Sequence, residues 1–488
     1  MPLPVIARIR QVARSGDTLR AWQIFADEGL EHSPDPDVLA LKGRLLKDRA
    51  RRLSGEAQRT MARAAAEAYR RSAGAPAATY PLINAATISY LCGDRDQARA
   101  EARRILSMIE SGDHEPETPY WLYATAAEAL LLLGDREGCR AALKKGLAAV
   151  PAAWEDQAAT TRQLREILLA SGEPLDLLEG FHPPASLHFS GLMELENEGA
   201  VRGQLAEVFD TVQPGAVYGA LAAGADIIAA ELALERGAQL HVTLPATIEE
   251  FLEISVEPFG DSWGARFREL LDAAHSIIEL AEHPGLTQAG VHQASEVAMG
   301  LAIRSARALA SEAVAVDVVR QGAPDSRLRS LWEAQGLAYR ALVQDWPRRT
   351  GDILPEARTK TVLAARNRFA SQPDTAEAMV ETGDGHWLLV FDATCDAVRY
   401  AGAHLLDYPG SRLGIDACVV LPGGRPEHYG QRAVCLSRAA QGTDVCGPWP
   451  QMVAMDLIAP ELRFEVSGEL VTPFGDIPLA RYTPLAIG

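Results

Sequence analysis

The segment Pro214 to Pro245, PGAVYGALAAGADIIAAELALERGAQLHVTLP, constrains the fold more than any other stretch. Val217 and Tyr218 run into a turn at Gly219, Asp226 to Arg236 carry a helical apolar pattern, and Gln239 to Leu244 alternate as a strand that Pro245 ends. This is a βαβ unit. The loop after its first strand and the amino end of its helix form an anion site wherever the backbone N–H groups there are free, because they and the helix dipole point the same way.

The same alternation extends on both sides. After Pro183-Pro184, strands are expected at 186–190, 215–219, 239–244, 313–319 and 337–343, and helices at 199–212, 225–236, 261–281, 290–311 and 325–335. Strands alternating with helices imply a doubly wound parallel sheet over residues 184–345. The turns at Ser190-Gly191 and Gly219 to Asp226 then lie at the carboxyl ends of strands, where such sheets bind ligands.

Residues 1–180 read differently. Helical periodicity runs throughout, and Gly-Asp pairs recur at 16–17, 93–94 and 134–135. Glycine in the left-handed conformation closes one helix and aspartate caps the next, the chemistry of a tight turn between antiparallel helices. A small residue follows each turn, Ala21, Ala98 and Cys139, where helices approach closely. The result is a helical-repeat solenoid near the tetratricopeptide length. Residues 80–87, 120–125 and 127–129, with Gly134-Asp135, resemble the tetratricopeptide-like region that bacterial signalling proteins share with the TRAF-binding region of apoptosis-signal kinases. That resemblance implies a protein partner bound through the helical repeats.

A formal charge of -18 argues against an extended nucleic-acid or anionic-membrane surface, which needs positive potential. The cysteines at 92, 139, 395, 418, 435 and 446 are scattered without CxxC spacing, as reduced thiols are. Arg8, Arg10 and Arg14 interrupt the amino-terminal apolar run, so neither a signal peptide nor a membrane span is expected, and the chain is assigned to the cytoplasm.

The middle segment is similar to a SLOG-type Rossmann domain in Ser190 to Met193, the Gly219–Asp226 turn, Ala230-Glu231, Glu235 to Ala238, Leu244-Pro245 and Trp263 to Phe267. The resemblance implies a nucleotide-derived ligand. Its cleaving branch carries a PGGxGTxxE signature absent from 184–345, so sensing is preferred to hydrolysis. The candidate ligand-binding residues are Ser190, Gly191, Gly219, Gly224, Asp226, Glu231, Trp263 and Arg266. Several have a second reading. Gly219 and Gly224 admit a phosphate or permit close helix–sheet packing, Asp226 binds a ribose hydroxyl or caps its helix, and Trp263 with Arg266 clamps a base and a phosphate or packs helices together.

Pro347 to Pro355 reads as a linker into a third segment, 356–488. Thr382 to Asp392, with its Gly383-Asp384-Gly385 turn, the helix Thr394 to Leu406, the strand Ser411 to Asp416 and the run Phe464 to Tyr482 resemble the second half of a class III adenylate/guanylate cyclase domain of ferredoxin-like fold. Cyclase chemistry needs two carboxylates to hold two metal ions. Asp384 matches one as a Mg ligand, whereas Ala365 stands where the other belongs, and Cys435 and Ala439 occupy the positions of the ribose and transition-state residues. The chain is thus expected to be a three-part signalling protein with a degenerate cyclase domain serving as a homodimer element or as the partner of an intact cyclase. The alternatives are a nucleotide-processing enzyme, either cyclase or SLOG-type hydrolase, and a pure scaffold.

Overall fold

A computed structural model describes residues 3–14, 18–73, 78–280, 285–346 and 354–484. They fall into two units, Met1–Pro183 with Ala308–Ala310, and Pro184–Arg307 with Ser311–Gly488.

The first unit is helical. Its α-helices are α1 (Leu3–Arg14), α2 (Thr18–Asp27), α3 (Pro36–Ala50), α4 (Gly55–Ser72), α5 (Thr79–Leu91), α6 (Arg95–Ser111), α7 (Pro119–Leu132), α8 (Arg136–Ala149) and α9 (Trp154–Ser171). The Gly134-Asp135 turn works as the sequence suggests. Gly134 takes φ +87°, its N–H bonds Leu131 O and that of Asp135 bonds Leu130 O, closing α7. Asp135 Oδ1 then accepts from Gly138 N at 2.8 Å and opens α8. Gly93 closes α5 in the same way, but the Asp94 side chain makes no cap bond. The Gly16-Asp17 turn lies outside the described residues. Ala21, Ala98 and Cys139 are fully buried, as close helix approach requires. Helix α5 is buried along nearly its whole length, its polar Asn84, Thr87 and Ser89 included, so it is a core helix of this unit.

The second unit holds two sheets. The first is built from β1 (Ser186–Ser190), α10 (Glu198–Val212), β2 (Ala216–Gly219), α11 (Ala225–Glu235), β3 (Gln239–Leu244), α12 (Ile248–Ser255), α13 (Trp263–Ala273), β4 (Ser276–Glu279), α14 (Gln288–Leu309), β5 (Ala313–Arg320), α15 (Arg327–Ala334) and β6 (Ala338–Gln344). All six strands are parallel, in the order β4-β3-β2-β1-β5-β6. From β1 the chain winds outward through β2, β3 and β4, then returns by α14 to β5 on the other side of β1. The direction of winding therefore reverses between β1 and β5. Leu187, Phe189, Val217, Leu240 and Val316 pack against residues of α10, α11 and α13 on one face, while Tyr218 and Ala315 pack against α14 and Trp332 of α15 on the other.

One expected element was too long. The helix placed at 261–281 ends at Ala273, and Ser276–Glu279 forms β4. His275 N donates to Leu240 O at 2.7 Å, and the β-branched pair Ile277-Ile278 lies in register with Val242-Thr243. Pairing at the edge of a parallel sheet outweighs the continuation of a helical pattern.

The second sheet comprises β7 (Arg358–Ala365), β8 (Ala376–Glu381), β9 (Trp387–Phe391), α16 (Thr394–Asp407), β10 (Leu413–Val420), α17 (Pro426–Tyr429), α18 (Gln431–Ala439), β11 (Val445–Pro448), α19 (Trp449–Met452), α20 (Met455–Ile458), β12 (Glu465–Thr472) and β13 (Gly475–Tyr482). Its order is β12-β13-β11-β10-β7-β9-β8, antiparallel except between β10 and β11. The strand expected at 411–416 runs instead over Leu413–Val420, held along its length by β7. Residues 347–353, most of the expected linker, lie outside the described residues.

Helix α14 serves both sheets. Ala298, Met299, Ala302 and Ile303 cover the first, while Ala294 and Val297 meet Val453 and Ala454 beside the second. A Cβ on Gly300 would stand 2.9 Å from the Val453 carbonyl carbon, so only glycine allows this approach. Gln293 Nε2 donates to Ala417 O at 2.9 Å, and Arg304 and Arg307 reach Asp456 of α20.

Candidate functional site

The reversal of strand order brings four polar side chains together at the carboxyl rim of the first sheet. Ser190 ends β1 and is in register with Asp317 of β5, its hydroxyl bonding that carboxyl. Tyr339 Oη, from β6, donates to Asp317 Oδ2 at 3.0 Å. Asp226, in the first turn of α11, faces the same rim: its Oδ2 accepts from Ala222 N at 3.3 Å, the Gly191 N–H lies close by, and Asp317 is its nearest acidic neighbour. Ser190, Asp317 and Tyr339 are half-buried, and Asp226 is 6% exposed.

Asp226 is the unusual member. Among the described residues no cation pairs with it, and its Oδ1 is buried without a hydrogen-bond partner. Burial pushes its carboxyl up to about 8, and the neighbouring Asp317 adds to the rise while the Ala222 and Gly191 N–H groups oppose it. Asp317 is raised as well, first by burial, with the Tyr339 and Ser190 hydroxyls pulling it back. At neutral pH Asp226 is therefore a carboxylic acid, with an O–H to donate as well as oxygens to accept. The rim offers three hydroxyl-bearing groups and one further carboxyl, a set suited to the hydroxyls of a sugar or the polar edge of a base.

The glycines are positioned by packing. A Cβ on Gly191 would meet Ala225 Cβ at 2.6 Å and Val318 Cβ at 2.8 Å, and one on Gly219 would meet Phe189 O at 2.6 Å. Gly224 takes φ +80°, and its missing Cβ would fall on the Leu192 carbonyl and 2.6 Å from Met193 O. Three of the turn's N–H groups are engaged within the chain: Ala222 N to Asp226, Ala223 N to Ser255 O and Ala225 N to Leu192 O. Of the two readings of these glycines, the geometry displays close packing. Asp226 does not cap α11 either. The N-cap is Gly224, and the carboxylate accepts from an N–H that precedes the helix.

Glu231, Trp263 and Arg266 form a second cluster along α11 and α13. Arg266 stacks 4.2 Å over the Trp263 ring, with its Nε and one terminal nitrogen on Glu231 at 2.6 and 2.9 Å and the other on Glu198 at 2.8 Å. Arg202 also reaches Glu231, at 2.9 Å. These charges satisfy one another, so the eight sequence candidates separate into a rim group and a helix-face group. Sequence reasoning missed Asp317 and Tyr339. The signal for Asp317 was a single acid inside the apolar run Ala313 to Val319, whereas Tyr339 carried none.

Asp384 lies at the tip of the β8–β9 hairpin. Its carboxylate accepts from Thr382 Oγ1 at 2.6 Å and meets His386 Nδ1 at 3.0 Å and Arg438 at 3.2 Å, which hold it below the usual carboxylate range, the Thr382 bond foremost. Ala365 ends β7 close by, for the next residue, Arg366, donates to Asp384 O at 3.0 Å. Donors and a cation surround Asp384, and among the described residues no group of three or more His, Cys, Asp or Glu side chains is placed to hold a metal. This site does not fit Mg.

Residues 6–89 match the family described as Tetratricopeptide Repeats-Sensor. The amino-terminal hairpins are accordingly tetratricopeptide-like repeats of a class associated with sensing and protein interaction. A comparison with curated proteins finds no match. Among solved structures, a mutant of the Thermobaculum terrenum O-GlcNAc transferase is similar at 12% identity over 64% of this chain and 45% of its own, with a TM-score of 0.15. The chain thus spans less than half the length of that structure, and the score is too low to make the two architectures alike. No helix among the described residues is long and apolar enough to cross a membrane.

Proposed function

We propose that this protein is a noncatalytic sensor that binds a nucleotide-derived ligand at the rim formed by Ser190, Asp226, Asp317 and Tyr339, and signals through a protein partner on its helical repeats. The observation that carries this reading is the buried, unpartnered Oδ1 of Asp226 at the point where strand order reverses. A buried polar atom without a partner costs about 1–3 kcal/mol, a cost that a ligand group bonding it removes. Parallel sheets bind ligands at such a reversal, and the resemblance of this segment to SLOG domains supports a nucleotide. Because the Ala222, Ala223 and Ala225 N–H groups of the turn are already engaged, the ligand's sugar or base occupies the rim and its phosphate projects outward. The second sheet acts without catalysis, in keeping with the donors around Asp384 and with Ala365 beside it, and it serves as a pairing surface for a second copy or an intact cyclase.

Thermal-shift screening of nucleosides, nucleoside monophosphates and dinucleotides tests the proposal. A ligand present at about 100 times its dissociation constant stabilises the folded state by about 2.7 kcal/mol. One member should raise Tm, and Asp226→Ala and Asp317→Asn should each abolish the rise while leaving the fold intact by circular dichroism. A panel without any shift, or a shift that survives both substitutions, overturns it. Incubation with ATP or GTP and Mg²⁺ should yield no cyclic product.

A further inference from the structure

Five of the chain's 47 basic residues are lysines, at 42, 47, 144, 145 and 360, and Lys47 is held unlike the others described. Its Nζ donates to Asn84 Oδ1 at 2.9 Å and to Gln163 Oε1 at 3.1 Å, two neutral amide oxygens. By contrast, Lys360 is paired with Glu377 and Asp392, and Lys42 bonds the Glu31 carbonyl. Four helices of the first unit supply this environment: α3 gives Lys47 and Asp48, with Arg51 as its C-cap, α5 gives Asn84 and Thr87, α7 gives Glu128, and α9 gives Arg162, Gln163 and Glu166. Gln163 bridges the amine to the acid, accepting from Lys47 with Oε1 and donating to Glu128 with Nε2. Thr87 also donates to Glu128, which is 7% exposed. Arg51 does not relieve the acid, because its own partners are Glu166 at 2.9 Å and Asp48 at 3.6 Å.

Two titratable groups of opposite type thus share one enclosed cluster. Burial, aided by Arg51, lowers the Lys47 ammonium to about 8, and burial raises the Glu128 carboxyl. Near neutral pH an appreciable fraction of the amine is free, and the nearby carboxyl holds its proton to a higher pH than an exposed glutamate does. A desolvated lysine of this kind is nucleophilic towards carbonyl carbon, and a neighbouring acid assists the loss of water.

We propose that Lys47 is a covalent capture site for small aldehydes, with Glu128 as the acid that completes imine formation. The Nζ lone pair attacks the carbonyl carbon, the C–N bond forms, and one N–H proton ends on the former carbonyl oxygen to give a carbinolamine. The C–O bond then breaks, its oxygen leaving as water with a proton from Glu128, and the remaining N–H proton returns to Glu128. The products are an imine and one water, with no oxidation or reduction. This inference is independent of the ligand proposed at the sheet rim.

Reductive trapping with glycolaldehyde and sodium cyanoborohydride, whose hydride fixes the imine as a secondary amine, tests it on the full chain. Peptide mapping at pH 7.5 should show Lys47 labelled at least ~10-fold faster than Lys144 and Lys145, since an amine with a lower pKa has the larger free fraction. The Lys47 rate should reach half its maximum near pH 8, and Glu128→Gln should slow it several-fold. In denaturant the five lysines should label alike. Equal labelling in the folded chain, selectivity that persists in denaturant, a midpoint near the ordinary 10.5, or an unchanged rate in Glu128→Gln overturns the proposal.

Discussion

Asp226 and Asp456 are both buried aspartates of the second unit, and the chain treats them in opposite ways. Asp456 is 1% exposed and meets Arg304 at 2.6 Å, Arg307 at 2.5 Å and Arg463 at 3.8 Å, with Arg304 also stacked on Trp449. Its charge fastens α14 to α20, and Gln335 adds bonds to the carbonyl oxygens of Asp456 and Leu457. Asp226 has comparable burial, and among the described residues it has no cation and one bare oxygen. A buried carboxyl is retained in either of two states, ionised with its counter-charges or neutral without them. The first holds structure together, and the second stays available to a ligand.

Removing Asp456 breaks the comparison most severely. Asp456→Ala leaves Arg304 and Arg307 without their principal partner, and a loss of about 3–5 kcal/mol is expected in chemical denaturation. The Asp226 side of the comparison appears in pH dependence. Its folded pKa, about 8, exceeds the ordinary 3.8, so between those values the folded state keeps a proton that the unfolded chain has lost. Stability then falls as pH rises through that window, by up to about 1.4 kcal/mol per pH unit, and levels off above it. Asp226→Asn cannot ionise and should lack this slope, gaining on the wild type as pH rises from 4 to 8. Parallel stability curves for the two proteins would show that Asp226 ionises normally. The smallest effect concerns the neighbour: Tyr339→Phe removes one hydroxyl bond to Asp317, for an expected loss of about 1 kcal/mol in thermal unfolding.

Much of the architecture was legible in the residues. The Gly-Asp turns announced helical hairpins because a left-handed glycine and a capping aspartate have few other uses in that order. The boundaries of β1, β2, α11 and β3 followed from apolar periodicity and turn residues. The Ser276–Glu279 strand did not, since four residues carry too little pattern to interrupt a helix until a neighbouring strand offers them hydrogen bonds. The rim cluster was half legible. Ser190 and Asp226 stood in visible turns, but Asp317 and Tyr339 lie more than 90 residues further along and reach the rim only through the pairing of β5 and β6.

The sequence by itself determined the local elements, the parallel α/β character of residues 184–345 and the absence of a second metal-holding carboxylate at Ala365, because these depend on residue type and short-range spacing. Tertiary structure alone decided strand order, the engagement of the Gly219–Asp226 turn by oxygens from elsewhere in the chain, and which buried aspartate acquired arginines. Those outcomes depend on long-range pairing and local desolvation, which no segment carries within itself. The Gly219–Asp226 turn is the plainest case: its residues suggested a phosphate cradle, and the fold supplied Leu192, Met193 and Ser255 in its place.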